Sequence, residues 1–325
     1  MKRFRRKLES SAVHTFRGDG IDRRAAWKIG LEAVGLERHY RDARQRLGAG
    51  DGARFVDVDG KRVAYFDVGS GPAIVCLHAI GHGGGDYAAL ASTLAPRHRV
   101  IAIDWPGHGL SDDDGVTPSG AHLARCVDVV LSRLDVGPAV VIGSSLGGAA
   151  ALCFAATKPE RVAGLVLENP AGLAPVDAPA RVVSRMMAMF FRGGARGASW
   201  FRGAYERYYR GVLPFARDRR DQIVAAGPAM AGKLAAAWSS FAEPSADLRA
   251  SADAIHAPTL VAWARRDRFV TLARNRKGIA RLEKAKLEIF DAGHVAHLER
   301  PEEFERSLTR FLSDVAAARP DWADT

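Results

Sequence analysis

The sequence predicts an α/β protein: a mostly parallel sheet flanked by helices, with a helical insertion set between two strands. Three observations carry this. From about residue 53 onward, short runs rich in Val, Ile and Leu alternate with longer runs of helical periodicity. Several of the short runs are apolar throughout rather than alternating, the mark of strands covered on both faces. Between about residues 172 and 255 the alternation stops, and it resumes afterwards as if uninterrupted.

The first two strands fall at 54–58 and 62–68, split by Asp59-Gly60, a hairpin turn signal. AIVCLH (73–78) follows, then VIAID (100–104), AVVIG (139–143), VAGLVLE (162–168), TLVAW (259–263) and LEIF (287–290), eight strands in all. Helical patterns fill the gaps. One covers 86–95. A second, 121–134, sets Leu123, Val127, Val130, Leu131 and Leu134 at helical spacing. A third, 146–157, is rich in Ala and can press close to a sheet. The last begins at Pro301 and carries Phe304, Leu308, Phe311 and Leu312 as an apolar stripe. Residues 172–255 are instead crowded with Met, aromatic and Arg side chains, from Met186, Phe190 and Phe191 to Tyr205, Tyr208 and Tyr209. They read as a helical cap over the sheet, with most of the Met and aromatic residues forming helix–helix core.

The expected organisation is a basic extension at 1–50, a core made of 51–171 and 256–325, and the cap at 172–255. Residues 1–50 hold 13 Lys and Arg against 6 Asp and Glu, which is +7 of the net +10. A solvated surface segment is the simpler account of that charge, with peripheral contact to an anionic membrane as the other. No zinc-finger or RNA-binding signature accompanies it, so nucleic acid is not an expected partner. Hydrophobic residues at 47% and charged residues at 26% exclude a disordered or collagen-like chain. Three cysteines, Cys76, Cys126 and Cys153, all in apolar runs, make a poor disulfide framework and point to the cytoplasm. No metal-ligand spacing or phosphate loop appears, so neither metal nor cofactor is expected.

The chemistry concentrates where strand 139–143 runs into Gly143-Ser144-Ser145-Leu146-Gly147-Gly148 and then a helix. This is G-x-S-x-G in strand–turn–helix context, which exposes Ser145 at the carboxyl edge of the sheet. Ser144 is the rival, without glycines two residues to either side. A serine hydroxyl needs a base to act at neutral pH. His294 follows a strand and Gly293; His297, His78, His82 and His108 also fall near strand ends. Asp267, after the strand 259–263, can hold the imidazole, and Glu168, after 162–168, is the alternative acid.

Taken together these segments resemble the α/β-hydrolase fold family, in its capped, serine esterase and lipase-like branch, over about residues 53–318. LHAIGH (77–82) is similar to the family's oxyanion segment, and Asp104-Trp105-Pro106-Gly107-His108-Gly109-Leu110-Ser111 to its D-x-x-G-x-G-x-S turn. PTLVAWARRD (258–267) is similar to its acid-bearing strand end, and Gly293-His294 with Leu298-Glu299-Arg300-Pro301 to its histidine loop. The resemblance implies a Ser145–His294–Asp267 triad and oxyanion donors at the Leu146 and Ile80 backbone N–H groups. His82-Gly83-Gly84-Gly85 offers a second register for the latter donor. Ala79 and Ala264 stand where the family usually has glycine.

The expected activity is hydrolysis of a carboxylic ester with a hydrophobic acyl or aryl part, through an acyl-enzyme. Carbon–carbon bond hydrolysis, amide or lactone hydrolysis, and ligand binding without catalysis share the same residues. The substrate-binding residues are not readable from the sequence.

Overall fold

The computed structural model describes residues 54–325. The basic extension and its expected membrane contact lie outside the described residues.

Eight strands form one sheet: β1 (Arg54–Val58), β2 (Lys61–Val68), β3 (Ala73–Leu77), β4 (Arg99–Ile103), β5 (Ala139–Ser144), β6 (Val162–Glu168), β7 (Thr259–Ala264) and β8 (Ala285–Phe290). Their order is β1-β2-β4-β3-β5-β6-β7-β8. β1 pairs antiparallel with β2 and β2 with β4; every other pair is parallel. Asp59 and Gly60 both take positive φ, 52° and 77°, as a two-residue hairpin requires. Each strand lies in the stretch where the sequence places it, with ends displaced by at most two residues.

The helices between them are α1 (Ala88–Leu94), α2 (Gly120–Arg133), α3 (Leu146–Thr157), α4 (Ala178–Ala195), α5 (Phe201–Val212), α6 (Arg217–Ser240), α7 (Arg249–Ala252), α8 (Leu272–Ile279), α9 (Ala296–Glu299), α10 (Pro301–Ala318) and α11 (Pro320–Ala323). The helix expected at 86–95 is divided: Gly84–Tyr87 form a 3₁₀ turn ahead of α1. Two glycines weaken an α-helix there, and Asp104 Oδ1 takes the Gly84 N–H at 2.8 Å.

Side-chain alternation along the strands builds two cores. Val75, Leu77, Ile101, Ile103 and Val141 face α2 and α3. Ile74, Cys76, Val100, Ala102, Val140 and Ile142 face α1 and α10, with Leu90, Leu94, Phe304 and Leu308. Cys76, Cys126 and Cys153 are buried free thiols. No helix among the described residues is long and apolar enough to cross a membrane.

Helices α4, α5 and α6 stand between β6 and β7. Asp177 caps α4 by accepting the Ala180 N–H at 3.0 Å, with Pro179 in the first turn. Phe191, Phe201 and Tyr205 are buried where these helices meet, with Phe201 stacked on Tyr205 at 5.2 Å. The chain ends under the opposite face. Trp322 of α11 is 1% exposed, donates its indole N–H to Ala73 O at 3.1 Å and stacks on His98. Trp322→Ala should therefore lower stability by about 3–5 kcal/mol, read as a lower urea midpoint at unchanged m-value.

Candidate active site

Ser145 sits between β5 and α3 at φ 54°, ψ −114°, a left-handed conformation unfavourable to a side-chain-bearing residue. Three backbone hydrogen bonds hold it. Its N–H donates to Glu168 O at 3.0 Å, and its carbonyl accepts from Ala149 and Ala171. The flanking glycines are required by space. A Cβ on Gly143 would stand 2.4 Å from Gly147 O, and one on Gly147 would stand 2.1 Å from Leu77 O. The turn thus fits tightly against the end of β3 and lifts Ser145 into a cavity. Ser144 points the other way, 1% exposed, with its hydroxyl unpartnered in the interior.

His294 follows β8 in a loop whose Gly293 and His294 N–H groups donate to Glu299, at 2.7 and 3.3 Å. Its Nδ1 lies 2.5 Å from Asp267 Oδ2. Asp267, at the end of β7, is fixed in turn by the Phe269 and Val270 N–H groups and by Asn169 Nδ2, all within 2.9 Å. Burial alone would lower the His294 pKa; the Asp267 carboxylate more than offsets this and leaves it above the ordinary imidazole value. Glu168, the alternative acid, is engaged elsewhere. It accepts from His297 Nδ1 at 2.7 Å and from His297 N at 3.0 Å, and its side chain is wholly buried.

The remaining histidines brace the loops around the cavity. The Trp105 N–H donates to His78 Nε2, and the Gly81 N–H donates to His108 Nε2, each at 3.1 Å. Both rings are therefore neutral acceptors, and burial pushes His108 down to about 4 and His78 well below its usual value. These bonds also bear on the oxyanion donors. Gly81 and Gly84 have their N–H groups committed, to His108 and Asp104. The Ile80 and Leu146 N–H groups have no partner among the described residues. The His82-to-Gly85 register begins five residues past the end of β3 and turns into the 3₁₀ segment instead.

Ser145, Ile80 and His294 share one cavity of about 360 Å³. Its far wall is apolar: Ala180 and Val183 of α4, Tyr208, Tyr209 and Val212 of α5, and Leu234 and Trp238 of α6. Arg268 and Phe269, from the loop after β7, and Arg274 of α8 also line it. The density of aromatic residues in 172–255 signalled an apolar wall, but helix periodicity could not say which of them face the sheet. Asn169 and Asp86 went unread for the same reason: single polar residues past strand ends carry no pattern. No group of three His, Cys, Asp or Glu among the described residues is placed to hold a metal ion.

Residues 72–301 match the family model described as the alpha/beta hydrolase fold. The chain is 30% identical over 255 residues to pimeloyl-[acyl-carrier protein] methyl ester esterase of Xanthomonas campestris pv. campestris, covering 76% of this chain and 97% of that protein. It is 27% identical to 2-hydroxy-6-oxo-6-phenylhexa-2,4-dienoate hydrolase of Comamonas testosteroni, covering 82% of this chain and 98% of the relative. Among solved structures it is similar to an N-acyl homoserine lactone degrading enzyme, with a TM-score of 0.65, 28% identity, and 79% of this chain and all of the other covered. The strand order, the sharp serine turn after β5 and the length of this match agree: the chain belongs to the α/β-hydrolase fold family and is a hydrolase.

Proposed function

We propose that the protein hydrolyses a carboxylic ester or lactone with an apolar acyl or aryl part, with Ser145 as nucleophile, His294 as base and Asp267 as its orienting acid. The observation that carries this is one largely apolar cavity lined by a serine in a strained backbone conformation and by an aspartate-held histidine. Ser145 Oγ attacks the carbonyl carbon while its proton passes to His294 Nε2. The tetrahedral oxyanion is held by the Ile80 and Leu146 N–H groups, the latter at the positive end of α3. Collapse releases the alcohol with that proton. Water, deprotonated by His294, then attacks the acyl-enzyme and frees Ser145. Residues 51–171 and 256–325 supply this machinery, and 172–255 act as a cap that shapes the apolar wall. Buried free thiols suit a reducing, cytoplasmic setting.

A methyl ester esterase and a lactone degrading enzyme among the similar proteins support ester chemistry. The similarity to a dienoate hydrolase supports carbon–carbon bond cleavage as the second reading. The two are separated by assaying simple methyl esters beside a vinylogous diketone.

Fluorophosphonate treatment should add one adduct by intact mass, absent from Ser145→Ala; an unlabelled wild type would sink the proposal. Asp267→Asn should lower kcat by roughly 10⁴, the scale of losing the tautomer-fixing carboxylate. Glu168→Gln should leave turnover near wild type and lower stability instead, because it strips a buried partner from His297. The reverse pattern would move the acid to Glu168. Since protonated His294 cannot accept the serine proton, and its pKa is raised, the acid limb of kcat/KM should lie above the ordinary value of about 6.5. A limb below that value would contradict the assignment.

A further inference from the structure

A second histidine faces the same cavity. His82, two residues past Ile80, lines its inner end, and its side chain is 2% exposed. Its Nδ1 lies 2.5 Å from Asp86 Oδ2, while Arg219 Nε of α6 donates to Asp86 Oδ1 at 2.5 Å. A carboxylate paired with a guanidinium only accepts hydrogen bonds. The imidazole proton must therefore sit on Nδ1. Burial outweighs the pull of Asp86 and keeps the ring neutral. His82 Nε2 is left as a bare acceptor with no partner among the described residues. His82 follows Ile80 on one loop, and His82, Ile80, Ser145 and His294 all line the same cavity. The unused acceptor and the Ile80 N–H thus belong to the same loop of the cavity wall.

An acceptor that faces a largely apolar cavity is selective when filled. A substrate that brings a donor to it is favoured over one that cannot, because the latter leaves the acceptor desolvated and unpaired. We propose that His82 Nε2 accepts a hydrogen bond from an N–H or O–H group carried beside the scissile carbonyl, so that the preferred substrates are α-acylamino or α-hydroxy esters and lactones. This rests on acyl chemistry at Ser145. His82 is a specificity residue in this account, and Asp86 and Arg219 position it by fixing its tautomer.

The test compares methyl 2-acetamidohexanoate with its N-methylated amide, which has the same carbonyls but no donor. Wild type should favour the N–H compound about tenfold or more in kcat/KM. His82→Phe should lower that preference by about tenfold. His82→Gln, which keeps an acceptor near the Nε2 position, should retain most of it. A ratio is unaffected by a general loss of rate. If a variant turns over neither compound, the same ratio is read from the concentrations that protect Ser145 against fluorophosphonate. No preference in the wild type, or an unchanged preference in His82→Phe, overturns the proposal. A wild type that does not label at Ser145 removes the underlying reading as well. Labelling without an N–H preference removes this inference alone.

Discussion

Asp267 is the point at which the separate parts of the site are held together. Its carboxylate receives hydrogen bonds from Phe269 and Val270 after β7, from Asn169 after β6 and from His294 after β8. Three loops from the same sheet edge are thereby tied to one buried charge. Parallel strands make this arrangement possible, since their carboxyl ends all arrive on one side. Were the carboxylate lost, each donor would be left without its acceptor, and the imidazole would lose both its orientation and the field that raises its pKa.

The same device recurs twice nearby. Glu168 holds His297, whose ring stacks on Tyr87 at 4.4 Å, and Asp86 holds His82. What separates the three pairs is what the second ring nitrogen meets. For His297 it is the protein interior, where Nε2 has no partner. For His294 and His82 it is the cavity. A carboxylate beside a histidine therefore identifies function here only together with the surface on the other side of the ring.

The strands, four of the helices beside them and the serine turn were legible because each depends on local or periodic features: apolar runs, Asp59-Gly60, and glycines flanking Ser145. Gly143 and Gly147 in particular are written in the sequence because the backbone there leaves no volume for another residue. The His294–Asp267 pairing was legible as an order along the chain, and so was the choice between Asp267 and Glu168 as a question. Which histidine each acid holds was not, since both acids follow parallel strands and His294 and His297 stand three residues apart after β8. The cavity wall was hidden for a related reason. Tyr205 and Tyr209 lie one helical turn apart, yet only Tyr209 lines the cavity.

Arg219 belongs to α6, whereas Asp86 belongs to the 3₁₀ turn after β3, so this ion pair bolts the insertion to the sheet. Both side chains are less than a tenth exposed. Removing either partner would strand a buried charge at a cost of about 3–5 kcal/mol. α6 therefore stays against the end of β3 unless this pair is broken.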